Sequence, residues 1–343
     1  MFMKNKKLKI SALILLLILG MVFFAYNKVE RFADRPINVS QETIFTLPAG
    51  TGRVVLEMLL VKHKLMQENP YFSWLLRIEP QLSEFKAGTY RFEKGMTVRQ
   101  MLELLKSGKE AQFSVRLVEG FKLSDWMKLL QNSGYLKHEL TGKSGEEIAT
   151  AIGMKDATNA EGWLYPDTYL YTAGMTDLSL LKRAHQRMVK TVDTLWNERD
   201  TSLPYKSPTE MLTMASIIEK ETAVKDERPE VASVFINRLR IGMRLQTDPT
   251  VIYGMGESYN GNITRKDLET PTPYNTYVIP GLPPSPIAMP SEASIVAAAH
   301  PAKTPYLYFV ADGKGGHTFT TNLENHNKAV RVYREALKNK NEK

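Results

Sequence analysis

The sequence predicts an α+β protein carried on one N-terminal apolar helix, and three observations predict it. Ile10 to Tyr26 is apolar apart from Ser11 and Gly20, and that length is just enough for a helix to cross a hydrocarbon core. The stretch after it shows short alternating strand patterns, each followed by a turn and an apolar helical period. The remainder is mostly helical in period and is interrupted by a proline-rich run. With 343 residues, 43% hydrophobic and 24% charged, the composition is that of a folded chain, and the length suits two domains beyond the apolar helix.

The N-terminal segment sets the topology. Lys4, Lys6, Lys7 and Lys9 precede the apolar run and account for half of the formal charge of +8. The flank behind the run mixes Lys28, Glu30, Arg31, Asp34 and Arg35, so the positive-inside bias puts residues 1–9 in the cytoplasm, a span at 10–26, a linker at 27–43 and everything later outside. A cleaved signal peptide fits less well, because the run exceeds the usual apolar region and no A-x-A-like site follows it. No basic stripe interleaved with aromatics follows residue 9, which argues against nucleic acid as a partner. The absence of cysteine excludes disulfides and thiolate chemistry, and the six histidines show no metal-ligand spacing, so neither metal nor cofactor is expected.

Elements then follow in order. Ile44 to Leu47 is a strand, Pro48 to Gly52 a turn, and Val54, Leu56, Leu59 and Leu60 mark a helix. Gly88 to Phe92 repeats the strand, Glu93-Lys94-Gly95 turns, and Thr97 caps a helix carrying Val98, Met101, Leu102 and Leu105 that stops at Ser107-Gly108. This pattern resembles the small LysM-like units that grip glycan. Phe113 to Val118 is another strand, leading into a helix with Leu123, Trp126, Leu129 and Leu130. The polar run Lys137 to Glu147 sets a domain boundary near residue 150, giving a LysM-like module with its connection at 44–150 and a second domain at 151–343. In that domain helices are expected around Leu178 to Asn197, after Ser207, and from Pro229 to Arg240. Seven prolines between Pro271 and Pro290 exclude helix or central strand there and require an extended loop able to wall a groove. A helix from Ser291, a strand Tyr306 to Val310, a hairpin through Asp312 to Gly316 and a polar helix complete the chain.

The chemistry points to one helix. Ser207-Pro208-Thr209-Glu210 is a capping box with proline at the first helical position, opening Met211 to Glu221. Apolar side chains cover nearly its whole circumference, so the helix is expected to be buried, and two carboxylates, Glu219 and Glu221, lie in apolar surroundings. Burial without a paired cation raises a carboxyl pKa, as a general acid requires. The bland alternative pairs Glu219 with Lys220 or Lys225.

Glu161 to Tyr169, Ala215 to Glu221 and Asn237 to Thr250, with Tyr274-Asn275-Thr276-Tyr277, Gly281-Leu282-Pro283-Pro284 and the tail Tyr306 to His317, resemble the signature blocks of the YceG-like family of endolytic murein transglycosylases. The resemblance implies a membrane-anchored carbon–oxygen lyase of the bacterial inner membrane, with its catalytic domain in the periplasm. It implies cleavage of MurNAc–GlcNAc bonds within nascent peptidoglycan strands, 1,6-anhydro-MurNAc ends, and termination of strand elongation. It makes Glu219 the catalytic acid and base, with glycan strands and membrane-bound synthases, the penicillin-binding proteins, as partners. Gln246, Thr247, Asp248, Tyr274 and Asn275 are candidate sugar-binding residues, although Asp248-Pro249 also reads as a helix start, and Glu161 and Asp167 also read as structural. The competing functions are a hydrolytic muramidase assisted by Asp248 or Glu221, and a non-catalytic peptidoglycan-binding scaffold.

Overall fold

The computed structural model describes residues 2–154 and 159–341; the side chains of residues 2–7, which include Lys4, Lys6 and Lys7, and of residues 339–341 lie outside that description. The chain is a mixed α+β structure that divides into two compact units between Phe113 and Ser114. The expected boundary near residue 150 falls instead inside a helix of the second unit, whose Ile148, Ala149 and Ile152 are buried.

The first unit begins with α1 (Phe2–Ala33), long and apolar enough from Leu8 onward to cross a membrane. Its side chains are exposed through the apolar run, but Val29, Phe32 and Ala33 are buried in the core of the unit. The expected linker at 27–43 is therefore corrected: helix continues to residue 33 because its last turn has a hydrophobic core to enter. Next come β1 (Thr43–Leu47), α2 (Arg53–Lys62), α3 (Pro70–Ile78), β2 (Gly88–Phe92) and α4 (Val98–Ser107). β1 and β2 pair antiparallel, with Phe45 opposite Tyr90 and Leu47 opposite Gly88, so the two expected strand–turn–helix copies share one sheet. Phe45, Leu47, Tyr90 and Phe92 point into the core, while Thr46 and Thr89 meet across the strands at 3.0 Å. α4 has the expected cap, Thr97 and Gln100 bonding reciprocally, and ends on Gly108 in the left-handed region. α3 is the unexpected helix. Its start signal was present in Asn69-Pro70, where the Asn69 side chain accepts from Tyr71 N, and its buried Phe72, Leu75 and Leu76 follow helical spacing.

The second unit contains, in order, β3 (Phe113–Leu117, all but its first residue), α5 (Leu123–Gln131), α6 (Gly145–Ile152), β4 (Asp167–Tyr171), α7 (Asp177–Glu198), α8 (Pro208–Glu221), α9 (Arg228–Arg240), α10 (Asp248–Met255), α11 (Arg265–Glu269), α12 (Glu292–Ala299), β5 (Tyr308–Ala311), β6 (His317–Thr320) and α13 (Leu323–Asn341). β3 pairs with β4, and β5 with β6 as an antiparallel hairpin. α8 is the axis of this unit: every residue from Met211 to Ile218 is buried, and α7, α9, α10 and α12 pack against it. Truncating one such side chain, as in Leu212→Ala, costs about 2–5 kcal/mol. The proline-rich segment 271–290 carries neither helix nor strand. It is pinned at its end by reciprocal backbone bonds, Gly120 N to Met289 O at 2.8 Å and Met289 N to Phe121 O at 2.9 Å, and by Ile287 N donating to Ser216 Oγ at 3.0 Å. Gly162 is required beside it: φ is 79°, and a Cβ there would sit 2.3 Å from Pro286.

Candidate active site

The geometry of α8 assigns its two carboxylates to different neighbourhoods. Residues two apart on an α-helix project about 200° from one another, so Glu219 and Glu221 cannot serve the same side of α8.

Glu219 faces α9, α12 and the turn after β3. Its Oε1 accepts from Arg228 Nη2 at 3.3 Å, and its Oε2 accepts from Ser291 N at 2.9 Å, Ser291 Oγ at 2.5 Å and Ser294 Oγ at 2.7 Å. Ser291 caps α12, so Glu219 sits where the first free N–H groups and the positive end of that helix favour an anion. Arg228 also donates to Ser291 Oγ at 3.2 Å, and its Nε is buried without a partner among the described residues. Both side chains of the pair are nearly inaccessible, at 7% and 5% exposure. The expectation that Glu219 is buried without a cation is therefore corrected. The cation is Arg228, hidden in the polar run Lys225 to Arg228, and neither Lys220 nor Lys225 takes that place. Lys220 Nζ instead donates to Gly120 O at 3.1 Å. Gly120 lies beside the carboxylate stem with a left-handed φ of 74°, and a Cβ there would make only an ordinary contact, 3.8 Å, with Glu219 Cγ.

Glu221 faces α10. Thr247 Oγ1 donates to its carboxylate, and burial pushes its pKa up to about 7, opposed by that hydrogen bond. Two of the sequence blocks meet here: Gln246 N donates to Thr276 O at 3.2 Å, Thr247 N to Thr276 Oγ1 at 3.1 Å, and Tyr277 Oη to Asp248 Oδ1 at 2.6 Å. Gln246 and Asp248 are exposed, and Gln246 adopts a left-handed φ of 49°. Thr247, rather than Asp248, is the N-cap of α10, without a side-chain capping bond because its hydroxyl goes to Glu221. Tyr274 packs on Tyr253 in a tilted pair, with centroids 4.7 Å apart and ring planes at 58°, and shares a hydrogen bond with Ser285 at 2.7 Å. Asn275 is fully buried; its Nδ2 donates to the carbonyls of Asp267, Leu268 and Thr270 and its Oδ1 accepts from Tyr277 N. It shapes the loop and offers no free group to a sugar.

Glu161 is the carboxylate whose setting the sequence did not disclose. It is buried, accepts from Leu123 N at 3.0 and 3.2 Å and from Tyr253 Oη at 3.3 Å, and burial lifts its pKa to about 7. It borders a cavity of about 820 Å³ also lined by Lys122, Lys128, Lys143 and Tyr253. Asp167, by contrast, is exposed and ion-paired with Arg187. Because the Glu161 carboxyl rises from 4.5 unfolded to about 7 folded, the folded chain holds a proton that the unfolded chain releases between those values. Stability is thus full below about pH 4.5 and falls as pH rises to about 7, by about 3 kcal/mol for this group. Glu221 adds a loss of the same sign. Denaturant titrations across pH 4.5–8 are expected to show a clearly shallower loss in Glu161→Gln than in wild type; equal slopes would contradict the assignment.

Known proteins resemble this chain along nearly its whole length. The model of the YceG-like family matches residues 45–332. A protein of Bacillus subtilis named endolytic murein transglycosylase is 32% identical over 93% of this chain and 91% of its own length. A protein of the same name from Streptococcus pneumoniae is 27% identical over 86% of this chain, which spans 59% of that longer relative. The crystal structure of a yceG-like protein from Listeria monocytogenes superposes with a TM-score of 0.51 at 29% identity, over 84% of this chain and 99% of that one. By the match to that family's model and by this likeness to the Bacillus subtilis protein, the chain belongs to the YceG-like family.

Proposed function

We propose that this chain is an endolytic peptidoglycan lytic transglycosylase, which cleaves MurNAc–GlcNAc bonds inside nascent strands, leaves 1,6-anhydro-MurNAc ends and so ends strand elongation. The observation that carries the reading is Glu219: a nearly inaccessible carboxylate at the end of the buried α8, held by Arg228, Ser291 and Ser294, in a chain whose relatives bear that activity in their names.

In this mechanism Glu219 protonates the leaving glycosidic oxygen and then, as carboxylate, takes the proton from the C6 hydroxyl of the same muramic acid. That hydroxyl closes the anhydro ring, so no second carboxylate is needed to activate water, unlike the paired carboxylates of hydrolytic glycosidases. As placed, both oxygens of Glu219 are acceptors, and proton donation requires that Arg228 or a serine contact give way to the strand. Gln246, Asp248 and Tyr274 bind sugar hydroxyl or acetamido groups in this reading. Thr247 acts through Glu221, and Asn275 through the loop. α1 is a retained anchor that holds the enzyme at the outer face of the cytoplasmic membrane, where membrane-bound synthases deliver new strands, and the β1–β2 module is the LysM-like glycan grip.

A second reading, with Glu221 as the proton carrier, is favoured by its carboxyl lying near 7 and by its contact with the Gln246-Thr247-Asp248 block. The activity itself is tested by incubating the detergent-solubilised chain with purified, uncrosslinked glycan strands. Release of fragments several disaccharides long is expected; intact strands, or disaccharides alone, would contradict endolytic cleavage.

A further inference from the structure

The first unit carries an apolar surface that its fold does not use. Outside α1, every exposed large hydrophobic side chain described in this unit lies on α2 or α3: Val54, Val55 and Met58 on the former, Trp74 and Ile78 on the latter. On α3 the burial is two-sided. Phe72, Leu75 and Leu76 face the core, whereas Trp74, Arg77 and Ile78, spaced i, i+3 and i+4, share an exposed face. Arg53, next to Val54 on α2, is exposed as well. Aromatic and branched apolar side chains beside arginine are the composition of helices that lie in a membrane interface.

The position of α3 relative to the span is fixed by α1. Tyr26 ends the apolar run and is exposed, yet Val29 is already buried, and three helical residues rise only about 4.5 Å. No solvent layer fits between a bilayer crossed by α1 and the core of this unit. α3 packs directly on α1, with the Phe32 and Tyr71 rings 6.5 Å apart. The cap after its last turn, Glu79, shares Arg99 with Glu30, which stands one helical turn beyond Tyr26. The end of α3 therefore lies about one turn of helix from the level at which α1 leaves the hydrocarbon.

We propose that the exposed face of α3, together with the start of α2, is a lipid-docking surface: Trp74 and Ile78 seat at the headgroup boundary of the leaflet from which α1 emerges, with Arg77 and Arg53 against anionic phospholipid. The proposal rests on the reading of α1 as a retained anchor. It makes the first unit a body lying on the membrane rather than one tethered above it.

The chain has no cysteine, so single cysteines report one position each. Trp74→Cys, Ile78→Cys, Glu103→Cys on the exposed side of α4, and Leu16→Cys within the span are labelled with a polarity-sensitive fluorophore. The full chain is reconstituted in vesicles of phosphatidylethanolamine and phosphatidylglycerol containing spin-labelled lipids. Labels at 74 and 78 are expected to shift to the blue and be quenched several-fold more by headgroup-region spin labels than the label at 103, while the label at 16 is quenched by deep ones. Quenching at 16 with water-like emission at 74 and 78 would overturn the docking surface and leave the anchor standing. No quenching at 16 would overturn both. Shielding at 74 and 78 that follows protein density and is insensitive to lipid quenchers would assign the face to a second copy of the chain and overturn the proposal.

Discussion

Glu219→Gln is expected to fold and to bind glycan strands while losing cleavage by about 10²- to 10⁴-fold, the usual contribution of a positioned acid–base group. Glutamine preserves shape and keeps one oxygen for the Ser291 and Ser294 donors, but it cannot give and reclaim a proton, and its amide turned toward Arg228 leaves one donor unmatched. That mismatch costs about 1–3 kcal/mol, to be read as a lowered melting temperature. Glu221→Gln separates the two assignments, because the carboxylates face opposite sides of α8. With Glu219 as proton carrier, Glu221→Gln retains most activity and the Thr247 contact. Collapse in Glu221→Gln with near-normal rates in Glu219→Gln would move the chemistry to the α10 side.

Arg228 carries the second large effect. Removing one partner of a buried ion pair costs about 3–5 kcal/mol, since the remaining charge is left without compensation. Arg228→Met is therefore expected to destabilise the second unit by that order. In folded protein at low temperature it should also slow cleavage, because Arg228 holds both the Glu219 carboxyl and Ser291 in place. Arg228→Lys keeps the charge and should restore much of the stability while losing the second donor that reaches Ser291. Normal cleavage rates in folded Arg228→Met would show that the pair only supports the fold.

The fold was legible wherever local signals decide. The Thr97 and Ser207 caps, the apolar spacing of α4 and the circumferential burial of α8 are all one-turn or one-helix patterns, and the structure has them where the sequence put them. The proline run likewise lacks regular structure, as its missing amide donors require. What the sequence withheld depends on distance along the chain. Glu219 and Ser291 are 72 residues apart, and no periodicity links a helix end to the cap of another helix. Arg228 sat in a stretch that reads as solvated, because charge alone does not reveal burial. Asn275 read as a ligand group because an amide in a loop serves sugar or backbone equally well, and here three carbonyls of the preceding turn claim it. The linker was misplaced because polar residues such as Glu30 and Asp34 suggest solvent, although Glu30 is spoken for by Arg99.

The fragment boundaries follow from the same observation. A soluble version should begin near residue 27, since a cut at 31 removes Val29 and Glu30, one from the core and one from its ion pair. The fate of the glycosidic bond is reported directly by the chemistry of the new muramic acid end. Glycan fragments released by the purified enzyme are to be treated with borohydride and weighed by mass spectrometry. Lytic transglycosylation predicts muramic acid ends that gain no hydrogen on treatment and weigh one water less than hydrolytic ends, because the 1,6-anhydro ring has no free aldehyde. Ends that carry the added water and are reduced would show that a water molecule was the nucleophile and that the chain is a hydrolase.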